Sequence, residues 1–296
     1  MITTTTATEE SLDFEGLART RTLGIGDGGT GKTHVLGTAL DAGVKVRLLA
    51  ADPNCLGVAK KIVDAWEAKH KKKLPVDQFS VCVPERNKRS LKDIIEFQEK
   101  TLGKTVEAAY RLKTISRTKH TAFVNILGGQ QSFIDVRNKQ NMGSCADWGT
   151  DTLLAVDSLT VVCQTIWGHI LGDGLKADQA DYGIMQANLM QYFDFIINNL
   201  EVHLYMMAHP RRETNQITLK ETIFPATVGT AVSDKIINMF GDVVWCYKKT
   251  IKDEKGKEKT GFFWSTDDRI CITRHLLLPQ SIEIPQDFGL ILNPKA

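Results

Sequence analysis

Eight residues near the start of the chain have the types and the spacing of a loop that binds phosphate. In order they are Gly26, Asp27, Gly28, Gly29, Thr30, Gly31, Lys32 and Thr33. Two glycines bracket four residues, and glycine permits the positive φ angles with which successive N–H groups turn toward an anion. We therefore predict a phosphate loop for a nucleoside triphosphate, in which Lys32 contacts the β- and γ-phosphates and Thr33 holds Mg²⁺. The alternative is a glycine-rich turn without a ligand.

The segments on both sides of this loop must present it to the ligand. Behind the loop, residues 33–42 have the apolar spacing of a short helix that ends at Gly43, and residues 44–51 form a buried-strand pattern. In front of the loop we expect a strand over residues 19–25, although few of its side chains are strongly apolar. Strand, loop, helix and strand in this order predict an α/β unit.

Three further polar residues follow predicted strands. Residues 152–158 form an apolar run that closes on Asp157, in the manner of a Walker B strand, whose aspartate orders the water shell of Mg²⁺. Asp52 follows the strand after the loop helix, and His209 follows the apolar run 202–208. Folds of the α/β class gather their ligand contacts at the carboxyl ends of strands. A purely structural role for Asp157 stays open, because any buried parallel strand can end at an aspartate.

The remaining pattern predicts further helices and strands. These are helices over residues 159–171, 179–200 and 233–240, a loop over 224–229, a strand over 79–83, and a hairpin that joins 243–247 to 261–265 through a turn near 253–256. We expect a mainly parallel sheet with helices on both faces. We predict a disordered lead-in over 1–16 and a single domain over 17–296, in which 60–150 is an elaborated insertion and 243–296 a C-terminal β extension.

Composition narrows the class of protein. A chain of 296 residues with 42% hydrophobic and 24% charged residues suits one large globular domain. The net charge of +2 gives no global electrostatic case for nucleic acid. The six scattered cysteines have no zinc-site spacing, and several lie in apolar runs, as buried free thiols do in a reducing compartment. We find neither a membrane-length apolar run nor a signal peptide, and we predict a cytoplasmic protein.

Several of these segments together carry a family resemblance. They are the phosphate loop, Asp52, Val156-Asp157-Ser158-Leu159-Thr160, Asp181-Tyr182-Gly183 and the strand from Tyr205 to His209. Ser158 stands where many ring-forming ATPases have a glutamate, which favours the RecA-like arrangement. The chain resembles the RecA/RadA-like P-loop ATPases of bacteriophages, often labelled ATP-binding proteins, some of which act in single-strand annealing and recombination. The resemblance covers roughly residues 23–247 and matches residues 60–150 poorly.

The resemblance implies a RecA-like P-loop NTPase fold, with ATP and Mg²⁺ as cofactors. Lys32 and Thr33 would bind phosphate and magnesium, and Asp157 would support the magnesium. Asp52 would be the general base, and His209 would sense the γ-phosphate. The family commonly has Glu in place of Asp52, which puts the hydrolysis rate in doubt. Asp52 fits a turn cap equally well, and His209 fits a histidine satisfied locally.

The resemblance also implies partners. RecA-like cores usually hydrolyse ATP at a subunit interface, so we expect a homo-oligomer, either ring or filament. The basic residues that could act across the interface are Arg211, Arg212, Lys235, Lys248 and Lys249, although each also fits a solvated surface charge. Single-stranded DNA is the expected partner, through basic clusters at 69–73, 86–89 and 111–120. The competing functions are a P-loop small-molecule kinase and a nucleotide-gated binding module with little turnover.

Overall fold

The computed structural model describes residues 19–86, 91, 92, 95, 98, 99, 120–172, 177–214, 216, 221–252, 256–267 and 271–292. Within them the strands are β1 (Arg21–Ile25), β2 (Lys45–Ala50), β3 (Phe79–Cys82), β4 (Thr152–Asp157), β5 (His203–Ala208), β6 (Pro210–Thr214), β7 (Glu221–Pro225), β8 (Asp242–Lys252), β9 (Glu258–Ser265) and β10 (Ile284–Pro285). The helices are α1 (Leu36–Asp41), α2 (Leu56–His70), α3 (Ala122–Gln131), α4 (Leu159–Leu171), α5 (Gln179–Asp194), α6 (Thr230–Ile237) and α7 (Gly289–Leu292). Short 3₁₀ turns at Pro53–Cys55 and Cys145–Asp147 and a π-helical turn at Phe195–Asn199 complete them.

The strands of the described residues form one large sheet and one separate hairpin. The large sheet has the order β10-β9-β8-β1-β5-β4-β2-β3, and the hairpin pairs β6 with β7. From β8 to β3 all neighbours are parallel, whereas β9 and β10 pair antiparallel. Helices α1, α2 and α7 pack on one face, and α3 to α6 pack on the other. The predicted α/β class with a mainly parallel, helix-flanked sheet is therefore confirmed.

The central strand β1 contains polar and small residues that contact segments distant in the sequence. The buried Arg21 donates to the carbonyls of Ile197 at 3.1 Å and Leu200 at 2.7 Å, at the end of the π-helical turn. Burial lowers the pKa of Arg21 to about 10. At Gly24, an added Cβ would lie 2.5 Å from the Tyr205 hydroxyl oxygen on the neighbouring strand. These contacts explain why β1 lacks a typical apolar pattern.

Most predicted elements are found, with shifted ends. Helix α4 matches its prediction residue for residue, and the hairpin of β8 and β9 is present, although residues 253–255 of its turn lie outside the described residues. Helix α1 begins at Leu36 rather than Thr33, and the N–H groups of its first three residues still bond three residues back, as in Leu36 N–H to Thr33 O at 3.2 Å. The predicted helix 233–240 instead spans Thr230–Ile237.

Two elements correct the sequence interpretation. Residues 224 and 225, predicted as a loop, belong to β7, whose partner β6 follows β5 directly. Helix α3 lies in a segment that the pattern left unassigned.

Strand β3, inside the predicted insertion 60–150, pairs with β2 at one edge of the large sheet. The lead-in 1–16 lies outside the described residues, and the domain boundaries remain a prediction.

None of the described helices combines the length and the apolar character that crossing a membrane would require.

Candidate functional site

The predicted phosphate loop joins β1 to α1 and forms one wall of an open cavity of about 480 Å³. The cavity brings together most of the predicted site residues, which are Gly28, Gly29, Thr30, Gly31, Lys32, Thr33, Asp52, Asp157 and His209. Gly26 and Asp27 lie outside the lining and contribute their backbone carbonyls to the loop. Because β2, β4 and β5 are adjacent and parallel, the residues that follow them meet at this edge.

The loop conformation requires glycine at Gly31, and for two reasons. Its φ is +88°, in the left-handed region, where a side chain is strained. An added Cβ would also lie 2.6 Å from Oε1 of Gln286 and 2.7 Å from Cδ1 of Phe262. Gly29 also has a positive φ, of +72°. The loop is therefore packed closely against residues of the C-terminal segment at Gly31.

The side chain of Lys32 is buried inside the phosphate loop. Its Nζ donates to the carbonyl oxygens of Gly26 at 2.6 Å and Asp27 at 2.8 Å. Burial lowers the pKa of Lys32, and the acidic groups of Cys246, Asp157 and Asp27 partly oppose that shift. The ammonium group is therefore held at the loop by backbone carbonyls, which a phosphate could replace as partners.

Thr33 and Asp157 form the second polar centre of the cavity. The Thr33 hydroxyl donates to Oδ2 of Asp157 at 2.6 Å. Burial raises the pKa of Asp157, while the Thr33 hydrogen bond and the charge of Lys32 act in the opposite direction. Hydroxyl and carboxylate oxygens suit Mg²⁺, which keeps several waters and needs few protein ligands. Among the described residues, no group of three or more His, Cys, Asp or Glu side chains is arranged so that it could hold a metal ion.

Asp52 has a structural contact and also lines the cavity. Its Oδ1 accepts from the backbone N–H of Asn54 at 3.0 Å, which caps the 3₁₀ turn after β2. Arg86 approaches the same oxygen at 3.9 Å and donates to the carbonyl of Ala51 at 2.6 Å. Oδ2 makes no hydrogen bond to any described residue. The predicted cap is therefore present, and one carboxylate oxygen stays available to the cavity.

His209 is held by its backbone. Its N–H donates to the Thr160 hydroxyl at 3.0 Å, and its carbonyl accepts from the Ala226 N–H at 2.8 Å. The residue lines the cavity beyond the end of β5. These bonds involve the backbone of the residue and not its imidazole, and the sensor role stays a prediction.

Residues that the sequence interpretation missed also line the cavity. They are His34, Asn54, Cys55, Val58, Lys61 and Phe262. Val58 and Lys61 lie one turn apart on α2, so the helical period after Asp52 could have indicated them. Phe262 comes from β9 and contacts His34, with ring centroids 5.6 Å apart. No local sequence pattern predicts this contact. Burial raises the pKa of the Cys55 thiol to about 12, so it is not an activated nucleophile.

A second cavity of about 330 Å³ adjoins the first and shares His34 and Phe262 with it. It lies between α1 and α2 and is lined by His34, Val35, Gly37, Thr38, Asp41, Ile62, Ala65, Trp66, Lys69, Phe262, Pro285 and Gln286. Its lining mixes apolar and aromatic side chains with a few polar groups, as sites for flat organic groups do.

The five basic residues considered for an interface differ in their surroundings. Arg212 pairs with Asp27 of the loop at 2.9 Å. Arg211 pairs with Glu213, and Lys249 pairs with Glu283. Lys235 is exposed on α6, and Lys248 lies beside the phosphate loop.

Comparisons with known proteins found no matching family model and no matching curated protein. Solved structures that match this chain include the RadB recombinase, with 10% identity, a TM-score of 0.38, and coverage of 88% of this chain and 92% of that one. The type III secretion ATPase EscN from enteropathogenic E. coli has 11% identity, a TM-score of 0.37, and coverage of 77% and 43%. A prototypical type III secretion ATPase of pathogenic bacteria has 12% identity, a TM-score of 0.34, and coverage of 78% and 54%.

This chain therefore spans about half the length of the two secretion ATPases. Such low identities and TM-scores carry no argument about activity, and the α/β fold rests on the sheet topology itself. The resemblance to bacteriophage ATP-binding proteins stays a hypothesis.

Proposed function

We propose that this chain is a RecA-like P-loop ATPase that binds ATP with Mg²⁺ and hydrolyses it. The main support is the contact of 2.6 Å between the Thr33 hydroxyl and Asp157, in the cavity that also contains Lys32 and Asp52. In this combination Lys32 is the cation for phosphate, and Thr33 and Asp157 supply oxygen atoms for Mg²⁺. Asp52 adds a carboxylate to the same cavity.

In this proposal the loop residues bind the phosphates first. Backbone N–H groups of the loop face the anion, and Lys32 exchanges the carbonyls of Gly26 and Asp27 for phosphate oxygens. Thr33 and Asp157 hold the cation, which when bound neutralises charge on the β- and γ-phosphate oxygens. The base and ribose enter the second cavity, where the aromatic side chains of Phe262 and Trp66 form part of the lining.

Asp52 and His209 then act on the terminal phosphate. The free Oδ2 of Asp52 orients a water molecule and accepts its proton, as a general base does. The imidazole of His209, positioned through the bonds of its backbone, contacts the γ-phosphate. The oligomer and the neighbouring subunit's basic residue are part of the same proposal, and they rest on the family resemblance alone.

We further propose that the ATPase acts on single-stranded DNA, in recombination, annealing or replication. This also rests on the resemblance. Of the three basic clusters, residues 69–73 are described, and two of their lysines are paired, Lys69 with Asp41 and Lys73 with Glu67, each at 2.8 Å. Residues 87–89 and 111–119 lie outside the described residues.

The first test is steady-state ATP hydrolysis with and without single-stranded DNA, with Lys32→Ala as the control. We expect turnover that DNA stimulates and that the variant lacks, because Lys32 is the loop cation. Turnover that DNA leaves unchanged would support the ATPase and remove the DNA proposal. If ATP neither binds nor turns over, the whole proposal fails.

One observation favours a second candidate, a nucleotide-gated binding module. Oδ1 of Asp52 is already committed to the Asn54 N–H, and the side chain is one methylene shorter than glutamate. If ATP binds without turnover, we expect Asp52→Glu to bring the carboxylate closer to the terminal phosphate and to raise turnover. Asp234→Glu, on the exposed surface of α6, is the matched control.

A further inference from the structure

We propose that Lys248 contacts the terminal phosphates of the nucleotide bound to its own subunit. This inference rests on the proposed function, because it assigns a further phosphate-binding residue to the same site. It also changes the role of Lys248, which the sequence pattern had only placed among the candidates to act across a subunit interface.

The course of β8 brings Lys248 to the loop. Strand β8 runs parallel to β1, with Trp245 opposite Ile25, the last residue before the phosphate loop. Lys248 lies three residues further along β8, where β1 has already turned into the loop. An atom built at the Cβ position of Gly29 would lie 3.7 Å from Nζ of Lys248. The ammonium group is therefore next to the loop of the same chain.

The neighbouring strand fixes this arrangement. Phe262 of β9 is the cross-strand partner of Lys248, and partners directly opposite project from the same face of a hairpin. The Phe262 ring would be 2.7 Å from a Cβ on Gly31, so the ring and the loop are in close contact. Gln286 adds a further tie, since its Nε2 donates to the carbonyls of Thr30 and Phe263, each at 2.9 Å. The hairpin face that presents Lys248 is thus anchored to the loop.

Among the described residues Lys248 has no ion-pair partner, unlike its neighbour in sequence, Lys249. Lys249 points to the opposite face, pairs with Glu283, and lies 4.9 Å from the ring centroid of Phe263. Lys248 forms no ion pair with any residue that the structure describes. A free ammonium group beside a loop that already contains Lys32 raises the local positive potential, which an anion would relieve. The tip of such a loop holds the β- and γ-phosphates, so a cation at Gly29 would favour a triphosphate over a diphosphate.

The test measures binding of AMPPNP, a non-hydrolysable ATP analogue, and of ADP, by displacement of a fluorescent nucleotide in the presence of Mg²⁺. We expect Lys248→Ala to weaken AMPPNP binding about tenfold and ADP binding by no more than about threefold. Lys249→Ala is the matched control, with both affinities unchanged. Equal thermal midpoints of the two variants would show that the fold is intact.

A mixing experiment separates action within a subunit from action across an interface. Subunits with Lys32→Ala should not bind nucleotide, but they still carry Lys248. If Lys248 acts within its own subunit, adding them to Lys248→Ala subunits leaves the weak AMPPNP affinity unchanged. Recovery of the affinity would overturn the inference in favour of action across an interface.

The two proposals fail differently. If the unmodified chain binds no AMPPNP, the proposed function falls, and this inference falls with it. If the unmodified chain binds AMPPNP but Lys248→Ala binds it equally well, or if Lys249→Ala is weakened as much, only the role of Lys248 is overturned.

Discussion

The two sides of the phosphate loop are built in different ways. On one side, parallel strands end and present Asp52, Asp157 and His209 to the cavity. On the other side, an antiparallel extension brings Phe262 and Gln286 into contact with the loop at Gly31 and Thr30. The first side consists of single residues at strand ends, whereas the second consists of packed side chains from strands β8 to β10 and the segment after them.

The two sides therefore have different roles, one in the chemistry of the cavity and the other in the conformation of the loop. The strand-end side offers titratable groups, and among the described residues none of these side chains hydrogen-bonds to the loop backbone. On the C-terminal side, Gln286 links the loop to β9 by donating to the carbonyls of Thr30 and Phe263. The Phe288 N–H holds the helix after the loop, because it donates to the Thr38 hydroxyl on α1 at 2.8 Å. We infer that substitutions on the C-terminal side will change stability strongly, and those on the strand-end side will change stability little but binding strongly.

The largest effect on stability should follow Gly31→Ala. The new Cβ would be strained at φ +88° and would collide with Gln286 and Phe262. Backbone strain and overpacking together should lower the free energy of unfolding by about 2–4 kcal/mol. Gly29→Ala is the matched control, because it has similar strain at φ +72° but the nearest atom to its added Cβ is 3.7 Å away, and it should lower that free energy by only about 1 kcal/mol. Urea unfolding of both variants would test this, and equal losses would show that contact with the C-terminal side adds nothing to the cost at Gly31.

A smaller effect, of opposite sign, should follow Asp157→Asn on the strand-end side. Burial raises the pKa of Asp157 above its unfolded value, so the charged form destabilises the folded, nucleotide-free protein. That penalty is present above the folded pKa and disappears as the pH falls below the unfolded value. Near neutral pH we expect the variant to be more stable by about 1 kcal/mol, with no difference at about pH 3.

Thermal unfolding at both pH values, with and without Mg²⁺ and AMPPNP, would check this prediction. With ligand the order should reverse, because Asp157 supports the cation and the unmodified protein gains more from binding. A variant that is less stable at neutral pH without ligand would show that the Thr33 hydrogen bond outweighs the burial of the charge.

The same division explains what the sequence could predict. Strands β2, β4 and β5 are continuous apolar runs, because both faces of a parallel sheet are covered, and Asp157 ends one of them. Helix α4 is recognisable from its apolar period and its cap at Ser158. These elements fix the positions of Asp52, Asp157 and His209, each of which ends or follows a strand that the local sequence pattern predicts.

The C-terminal side could not be predicted in this way. Phe262 and Lys248 reach the loop from more than 200 positions away, and nothing in their own strands indicates what they face. Strand β1 fitted poorly for a related reason, since Arg21 and Gly24 serve contacts with distant segments. The β6–β7 hairpin was missed because β6 is mostly polar and only partly buried.

The smallest effect should follow Arg212→Ala, which breaks the ion pair between β6 and Asp27 of the loop. The two side chains are 43% and 56% exposed, so water and salt screen a contact of 2.9 Å. We expect the free energy of unfolding to fall by less than about 0.5 kcal/mol at about 0.1 M salt, and not measurably at about 1 M. A double-mutant cycle with Asp27→Ala isolates the pair. A coupling above about 1 kcal/mol would contradict the comparison, because the loop would then be fixed from β6 as firmly as from the C-terminal side.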